Sequence, residues 1–322
     1  MTDDGRPMAE VPAVDTQDTH WLTELATTRL IIDSDAACEA DDQFAIVHAL
    51  LTPTVDLRGI VPNHFGTAAS DRSMELSRAE VERLLRLTGL TGRIPVADGA
   101  AHALTAPDEP VDSPGARLIV EEAHAGRGRL YVAVLGPLTT VASAVLLDPS
   151  IVEEDVVVVW IGGPPYDDVH PLWPACFNLA NDRVAANVVF GSGLEVWQVP
   201  MDVYSSITVG YAELWEKVRP HGELGRYLVD QLVAFNRNHH RGPIDGRILG
   251  DSPAIGVVLN EQVARWRMRT PMRFTDDHRA LPSEHGRPVR SALSIDSRYI
   301  LGDLFAKIRF FPEGVWPTAS RR

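Results

Sequence analysis

The hydrophobic residues of this chain fall in short, nearly continuous runs that alternate with longer stretches of mixed character. Five of the runs predict strands, at 29–33 (RLIID), 57–61 (LRGIV), 130–135 (LYVAVL), 156–161 (VVVVWI) and 194–199 (LEVWQV). Apolar runs without strict alternation are typical of parallel strands that are covered on both faces. The pattern therefore predicts a buried, mostly parallel sheet.

Helical patterns lie between these runs. The stretch 70–90 carries Val81 and Leu84 on one face and ends near Gly89, and a second amphipathic stretch occupies 136–151. Strand, helix and strand at this spacing indicate right-handed βαβ units. The fold class predicted from the pattern is α/β, with an open, mostly parallel central sheet and helices on both faces.

The chain shows no internal repeat, no low-complexity tract and no marked domain boundary. Residues 1–19 are polar and acidic, which predicts a flexible N-terminal extension. Residues 20–322 are predicted to form a single α/β domain with a helical insertion at about 209–245. A chain of this size has enough residues to bury a large core.

Composition narrows the classes of partner. The formal net charge is -14, which argues against nucleic-acid and anionic-membrane binding because both require a basic surface. No apolar run is long enough to span a membrane, and the N-terminus lacks the apolar stretch of a signal peptide. Two cysteines, Cys38 and Cys176, allow at most one disulfide. We therefore expect a cytoplasmic protein that binds small molecules, cations or other proteins.

An acidic cluster follows the first predicted strand, in the stretch 31–46 (IIDSDAACEADDQFAI). The cluster consists of four aspartates within ten residues, Asp33, Asp35, Asp41 and Asp42. It lies at the carboxyl end of a predicted strand, which is where ligands bind in open parallel sheets. Their mutual repulsion would be cancelled by a hard cation, Ca²⁺ or Mg²⁺, which takes several oxygen ligands. Helix capping by solvated acids is the simpler alternative.

A metal-dependent phosphatase is a further alternative for an Asp-x-Asp pair. Phosphatases of the haloacid-dehalogenase type carry Asp-x-Asp-x-Thr, and here Ala37 occupies the position of the threonine. No convincing later lysine with a matching acidic pair follows. The phosphatase interpretation is therefore disfavoured.

The double aspartate that enters a helix, taken with several later segments, resembles the inosine-uridine preferring nucleoside hydrolase family. That family opens with Asp-x-Asp-Pro-Gly-x-Asp-Asp, whereas this chain has DSDAACEADD, which lacks the Pro-Gly and is two residues longer. The resemblance continues in order through 94–100 (IPVADGA), 135–151, 158–163 (VVWIGG), 176–203, 250–259 (GDSPAIGVVL) and 292–308. It covers nearly the whole chain from about residue 29 and implies a Rossmann-like nucleoside hydrolase fold.

The resemblance implies an activity and a metal site. The activity would be Ca²⁺-dependent hydrolysis of the N-glycosidic bond of a nucleoside or related N-riboside, giving free base and sugar. Asp35, Asp42 and Asp251 would ligate the Ca²⁺ together with the backbone carbonyl of Leu135. Asp35 would also act as the general base that accepts a proton from the attacking water.

The resemblance also implies how the sugar is held. Asp41 would hydrogen-bond the ribose hydroxyls, Asn178 would hold the sugar from the opposite side, and Asp33 would be a supporting acid that orients the loop. Family members of this kind often form homodimers or homotetramers, and we expect the same here.

Three positions depart from the family pattern and affect the substrate pockets. Gly250 replaces a histidine that often contacts the leaving base, Cys176 replaces a sugar-contacting glutamate, and His170 replaces an asparagine. His64, His170 and the pair at 239–240 are candidates for the missing acid.

Two further interpretations follow from these departures. Trp173 lies in a proline-flanked loop and could stack on a base. A non-catalytic or weakly active sugar- or nucleoside-binding protein that keeps the metal site is the alternative function.

Overall fold

The fold is seen in a computed structural model that describes residue 22 and residues 25–68, 70–166, 175–239 and 245–319. The predicted extension at 1–19 lies outside the described residues. The described chain is built from strands and helices that alternate along most of its length.

Eleven strands and eleven α-helices are formed by the described residues. The strands are β1 Thr28–Ser34, β2 Val55–Pro62, β3 Leu130–Val134, β4 Val156–Ile161, β5 Glu195–Val199, β6 Thr208–Gly210, β7 Gly246–Ile248, β8 Ala264–Arg269, β9 Met272–Phe274, β10 Ala280–Pro282 and β11 Val289–Ile295. The helices are α1 Asp42–Leu50, α2 Ser73–Leu87, α3 Pro114–His124, α4 Thr139–Leu147, α5 Phe177–Asn181, α6 Arg183–Ser192, α7 Met201–Tyr204, α8 Tyr211–Lys217, α9 Gly222–His239, α10 Ser252–Leu259 and α11 Ser297–Phe310.

The central sheet has the strand order β2-β1-β3-β4-β5-β11-β8. Every neighbouring pair in it is parallel except β11 and β8, which are antiparallel. The five runs predicted as strands correspond to β1 through β5. The prediction of an open, mostly parallel α/β sheet is confirmed.

Each strand buries its two faces against different helices. In β1, Leu30 and Ile32 belong to the core that contains α1, α2, α10 and α11, whereas Ile31 belongs to the core that contains α3, α4 and α6. The same alternation places Val159 in the first core and Trp160 in the second. Two covered faces explain why the strands read as continuous apolar runs.

The order of the strands changes direction at β1. This strand pairs with β2 on one side and with β3 on the other, and Asp33 is aligned with Val134 of β3. The loops that follow these two strands therefore leave in opposite directions and open a crevice at the carboxyl edge of the sheet. The acidic stretch after β1 and the Leu135–Pro137 turn after β3 form the sides of this crevice.

The segment for which a helical insertion is predicted, about 209–245, contains α8 and α9. These helices lie between β6 and β7, which form a short antiparallel pair. The segment returns the chain to the crevice, because β7 leads directly into α10. Within the described residues, no helix combines the length and apolarity needed to cross a membrane.

A buried polar cluster joins α1 to the C-terminal helix α11. The side chain of His48 is fully buried, and its Nε2 lies 2.7 Å from Oδ2 of Asp303. Lys307 Nζ donates to the same carboxylate at 2.5 Å and to Thr52 Oγ1 at 2.9 Å. Burial lowers the pKa of His48 to about 4. Burial alone would raise the pKa of Asp303. The hydrogen bond from His48 outweighs burial and lowers this pKa to about 2.

This cluster predicts an acid-sensitive stability. His48 has a lower pKa in the folded state than in the unfolded chain, so its contribution is complete above about pH 6.5 and is lost as the pH falls toward 4. The free energy of unfolding should fall by about 2 to 3 kcal/mol between pH 7 and pH 4.5 because of His48. The difference between wild type and His48→Gln in urea unfolding at the two pH values measures this loss, because buried carboxylates with raised pKa values change the stability of both proteins in the opposite direction.

The contribution of His48 is isolated by comparing two variants. His48→Gln should remove the contribution of His48 to the pH dependence, whereas His239→Gln, at an exposed histidine of α9, is the matched control and should leave the pH dependence unchanged. An equal pH-dependent loss in both variants would show that His48 is not responsible.

Candidate active site

A cavity of about 470 Å³ lies at the carboxyl edge of the sheet, where β1, β3 and β4 end. Its walls come from loops and helix starts that are far apart in the sequence. They are formed by Asp35, Cys38, Glu39, Asp41, Asp42, Leu135, Ile161, Ala175, Phe177, Asn178, Tyr204, Arg247, Ile248, Gly250 and Asp251. Among the described lining residues, five carry carboxylates and one, Arg247, carries a fixed positive charge.

The acidic loop after β1 is held by hydrogen bonds of its own. The backbone N–H of Cys38 donates to the carbonyl of Asp35 at 2.8 Å, which turns the chain back toward α1. The Ser34 hydroxyl donates to Oδ1 of Asp42 at 2.6 Å and fixes that side chain at the start of the helix. Asp41 precedes the helix and does not cap it with its side chain. The loop thus directs its carboxylates into the cavity and not toward the helix end.

Three carboxylates converge from two distant segments. Asp41, Asp42 and Asp251 each offer an oxygen atom, and these atoms lie within 4.8 Å of one another. Asp251 comes from the turn before α10, so the sheet topology is what brings it to the acidic loop. All three side chains are buried. The predicted ligand Asp35 is buried too and lines the same cavity but is not part of this group, whereas Asp41, which was predicted to contact the sugar, is.

Burial and mutual repulsion raise the pKa values of these acids. The pKa values of Asp35 and Asp251 lie well above the ordinary range because of burial and then the charge of Asp42. Burial raises the pKa of Asp42 to about 6 against the hydrogen bond from Ser34. It raises the pKa of Asp41 to about 7, although the nearby charge of Arg247 lowers it. The cluster is therefore costly to ionise without a compensating positive charge.

A divalent cation fits this arrangement. Oδ2 of Asp35 is buried and has no hydrogen-bond partner among the described residues. Carboxylate oxygens that are close together and unpaired are the donors preferred by hard cations such as Ca²⁺ and Mg²⁺. Such an ion would satisfy Asp35 and cancel the repulsion among Asp41, Asp42 and Asp251. The described residues thus provide a coherent set of oxygen ligands.

The amide of Asn178 is fixed by the ends of two strands. Its Nδ2 donates to the backbone carbonyl of Leu135 at 2.5 Å and to that of Ile161 at 2.9 Å. Leu135 lines the cavity, and its backbone carbonyl was predicted as a metal ligand. This carbonyl accepts the hydrogen bond from Asn178. Asn178 therefore connects the β3 edge with the start of α5.

The Asp35 carboxylate packs directly against a glycine backbone. An ideal Cβ on Gly136 would lie 2.7 Å from Oδ1 of Asp35, closer than real contacts allow. The carbonyl of Gly136 also accepts a hydrogen bond from Trp160 Nε1 at 3.1 Å, which limits movement of the backbone. A side chain at this position would have to displace the carboxylate.

Gly136→Ala is therefore expected to reduce activity with little loss of stability. Displacement of the Asp35 carboxylate should lower kcat/KM by roughly 100-fold, as misplacement of a catalytic group by about 1 Å can do. The melting temperature should fall little, because the atoms in the way (Oδ1, Cγ and Cβ of Asp35 at 2.7, 2.8 and 3.1 Å) all belong to one side chain and none to the backbone. Steady-state kinetics and thermal unfolding measure the two effects.

Gly302→Ala in α11 is the matched control for this substitution. No heavy atom lies within 4 Å of the position its Cβ would take, so activity and stability should both be retained. Full activity in Gly136→Ala would contradict the close packing of Asp35 against this turn.

Asp33 and Asn63 form a supporting pair under the acidic loop. Asn63 Nδ2 donates to Oδ1 of Asp33 at 2.8 Å and to the carbonyl of Pro137 at 2.9 Å. Burial raises the pKa of Asp33 to about 8 against the hydrogen bond from Asn63. The pair ties the ends of β1, β2 and the turn after β3 together. Asn63 was missed in the sequence, although a polar residue at the end of the apolar run of β2 was a usable signal.

The substrate-binding residues predicted from the sequence have different positions. Asp41 and Asn178 line the cavity. His64 is fully buried outside the lining, where its Nε2 lies 2.8 Å from Thr139 Oγ1. Burial also lowers the pKa of His64 to about 4. Cys176 is buried behind the lining, and its sulfur accepts a hydrogen bond from the N–H of Gly163 at 3.2 Å.

The predicted residues His170 and Trp173 lie outside the described part of the chain. Among the lining residues that were not predicted, Glu39, Tyr204 and Arg247 carry polar side chains. Glu39 and Arg247 form an ion pair, and Nη2 of the same guanidinium lies 3.7 Å from Oδ1 of Asp41. Glu39 belongs to the lengthened acidic loop, which was the available signal. Arg247 and Tyr204 had no comparable signal.

Comparison with known families finds a match over most of the chain. The family model described as inosine-uridine preferring nucleoside hydrolase matches residues 30–299. A probable uridine nucleosidase 1 from Oryza sativa subsp. japonica is 27% identical over 272 residues, which are 77% of this chain and 78% of that protein. The pyrimidine-specific ribonucleoside hydrolase RihA from Escherichia coli O1:K1 / APEC is 25% identical over 298 residues, which are 85% and 90% of the two chains.

Solved structures share the fold. A plant nucleoside hydrolase, the PpNRh1 enzyme, superposes with a TM-score of 0.73 at 19% identity and covers 88% of this chain and 99% of its own. A purine-preferring ribonucleoside hydrolase from Gardnerella vaginalis gives a TM-score of 0.73 at 20% identity, with 89% and 99% covered.

Proposed function

We propose that this chain uses Ca²⁺ and Asp35 to cleave nucleosides. The premise is that the chain belongs to the inosine-uridine preferring nucleoside hydrolase family and is a hydrolase acting on N-glycosyl compounds. The observation that carries this proposal is the convergence of Asp41, Asp42 and Asp251 beside Asp35 in one cavity. Asp35, Asp42 and Asp251 are the described side chains that would hold the ion. When bound, a cation at such a site lowers the pKa of water and grips neighbouring hydroxyl groups.

Asp35 is the residue best placed to accept a proton from water. Its carboxylate lines the cavity, and one of its oxygens has no hydrogen-bond partner among the described residues. The water oxygen adds to the anomeric carbon of the sugar, the bond to the base nitrogen breaks, and its electron pair leaves with the base. Asp35 takes the proton from the water as this occurs. No covalent intermediate with the protein is required.

The acidic walls favour the charge that develops on the sugar. Cleavage of an N-glycosidic bond passes through a state in which the sugar ring resembles an oxocarbenium ion. Carboxylates already fixed around the ring stabilise that positive charge without reorganising. Asp41 would bind the ribose hydroxyls from the acidic loop, and Asn178 would contact the sugar from the opposite side of the cavity.

Uridine is the first substrate we propose to test. Two relatives carry names that specify uridine or pyrimidine ribonucleosides, namely the probable uridine nucleosidase 1 and RihA. Their sequence identity to this chain supports the reaction class more strongly than the base. A homodimer or homotetramer and a cytoplasmic location stay predictions from the sequence, and analytical ultracentrifugation of the purified chain tests the first.

The proposed activity is tested with a panel of ribonucleosides in the presence of Ca²⁺. Uridine, cytidine, inosine and adenosine are incubated with the purified chain, and the products are separated by liquid chromatography. Release of free base with an equal amount of reducing sugar is the expected result. Binding of a nucleoside by calorimetry without any release on long incubation would instead favour the non-catalytic binder.

A further inference from the structure

We propose that Tyr204 determines substrate specificity by narrowing the cavity in favour of nucleosides with a single-ring base. The inference rests on the proposed function, because it concerns the same cavity and the same reaction. Tyr204 belongs neither to the acidic loop nor to the residues that would hold the metal. Tyr204 ends α7, directly after β5, and lines the cavity with part of its ring exposed.

One edge of the Tyr204 ring lies over Gly250. An ideal Cβ on Gly250 would be 3.2 Å from Cδ2 of Tyr204 and 3.3 Å from Oδ2 of Asp41. Both distances are tighter than most real Cβ contacts, so any side chain at position 250 would push against the ring and the carboxylate. Glycine at this position therefore makes room for the tyrosine. Because Asp251 follows, the ring lies beside the carboxylate cluster.

The other end of Tyr204 is held by Cys176. The tyrosine hydroxyl and the Cys176 thiol are hydrogen-bonded, and the same sulfur accepts the N–H of Gly163 at 3.2 Å. Cys176 is buried, so this contact anchors the hydroxyl behind the cavity wall. The ring thus spans from Gly250 to Cys176 and is fixed at both ends. A tyrosine side chain has only two rotatable angles, which makes such a wall rigid.

The phenol adds volume to this wall without adding charge. Burial and the nearby Cys176 raise the pKa of Tyr204, so the hydroxyl stays protonated at neutral pH. The ring takes up cavity volume beside Gly250 and Asp41, and a two-ring base requires more of that volume than a one-ring base does. Shape, and not charge, is therefore the basis of the proposed selectivity.

Substitution of Tyr204 tests the proposal through a ratio of two substrates. For wild type and variants, kcat/KM is measured for inosine and for uridine, which differ in the size of the base. Wild type should prefer uridine, and Tyr204→Ala should shift the ratio toward inosine by about 10-fold or more, in the range that pocket volume contributes to specificity. Tyr204→Phe keeps the ring and should leave the ratio within about 3-fold of wild type.

Gly250→Ala tests the same wall from the opposite side. Its added methyl group should move the ring into the cavity, so kcat/KM should fall more for inosine than for uridine. Gly250→Ala removes no side-chain packing. It therefore still tests the proposal if Tyr204→Ala does not fold, and circular dichroism shows whether Tyr204→Ala is folded. Tyr299→Ala is the matched control, since this exposed tyrosine of α11 lies away from the cavity, and its ratio should equal that of wild type.

The outcomes separate this inference from the proposed function. If wild type releases base from neither nucleoside, the proposed function fails. If wild type cleaves nucleosides but Tyr204→Ala and Gly250→Ala both leave the ratio unchanged, only the role of Tyr204 is overturned. A ratio that shifts equally in Tyr204→Ala and Tyr204→Phe would assign selectivity to the hydroxyl and would also overturn the steric proposal.

Discussion

Removal of divalent cations with a chelator is expected to abolish nucleoside cleavage and to lower the melting temperature of the protein. Asp35, Asp42 and Asp251 are buried together, and their charges oppose one another. Without a cation, these carboxyl groups either bind protons or repel one another. In neither state is the cation present that the proposed reaction requires. Addition of Ca²⁺ in excess should restore activity.

The stability part of this prediction has a definite size. A ligand present at 100 times its Kd stabilises the folded state by about 2.7 kcal/mol, and we expect a rise in melting temperature of about 5 °C on adding Ca²⁺. Differential scanning fluorimetry against Ca²⁺ concentration gives the apparent Kd independently of activity. Asp251→Asn should weaken the dependence on Ca²⁺, whereas Asp155→Asn, an exposed acid outside the cavity, should not.

Two results would contradict the metal site. One is full activity in a preparation shown by elemental analysis to contain no divalent metal. The other is a Ca²⁺-induced rise in melting temperature that is the same in Asp251→Asn as in wild type. Mg²⁺ and Mn²⁺ titrations in parallel identify which hard cation the site prefers.

Asp35→Asn is expected to lower kcat by about 10²- to 10⁴-fold, as loss of a general base does. The amide has nearly the size of the carboxylate but cannot accept the proton from water. Its neutral charge also removes repulsion from Asp42, so the variant should be as stable as wild type or more stable in the absence of metal. A large loss of activity without loss of stability is a combination that misfolding cannot produce.

Separating proton transfer from metal binding requires a second measurement in this variant. The apparent Kd for Ca²⁺ is measured by fluorimetry, and kcat is then determined at saturating Ca²⁺. If saturating Ca²⁺ restores wild-type kcat, Asp35 acts only as a metal ligand and its role as general base is wrong. Asp155→Asn again provides the control, with an unchanged kcat.

The sheet was predictable because each central strand is covered on both faces. Ile31 and Ile32 point to opposite cores, and that requirement produces the continuous apolar runs from which β1 to β5 were predicted. The first residue of α2 was harder to predict from the sequence. Ser70 and Asp71 are residue types that commonly cap helices, but the helix begins at Ser73, and the Ser70 hydroxyl accepts the N–H of Arg72 in the turn before it.

The candidate site was predictable where its residues are adjacent in sequence. Asp35, Asp41 and Asp42 follow one strand and enter one helix, so local rules place them together. Asp251 was reached only through the resemblance to a family. Tyr204 and Arg247 approach the same cavity from separate elements, and no local pattern indicates that approach.

His64 shows the opposite limit of sequence reasoning. Its position after β2 correctly indicates the carboxyl edge of the sheet, but it does not indicate the direction of the side chain. In the structure the ring turns inward to Thr139 and accepts the N–H of Gly66 at Nδ1. Proximity to an edge is a property of the backbone, whereas facing a cavity depends on one torsion angle.

The orientation of the Asn178 amide determines which hydrogen bonds this side chain can offer to a ligand. Both hydrogens of its Nδ2 group are directed to backbone carbonyls, those of Leu135 and Ile161. Only the Oδ1 oxygen retains capacity for a ligand, so Asn178 can accept a hydrogen bond but has none to donate. The carboxylates that line the cavity are acceptors as well, and Arg247, a donor among the described lining residues, is paired with Glu39. A ligand therefore matches this cavity through its donors, and replacing a sugar hydroxyl by fluorine or a methyl ether should weaken binding more than changing the acceptors of the base.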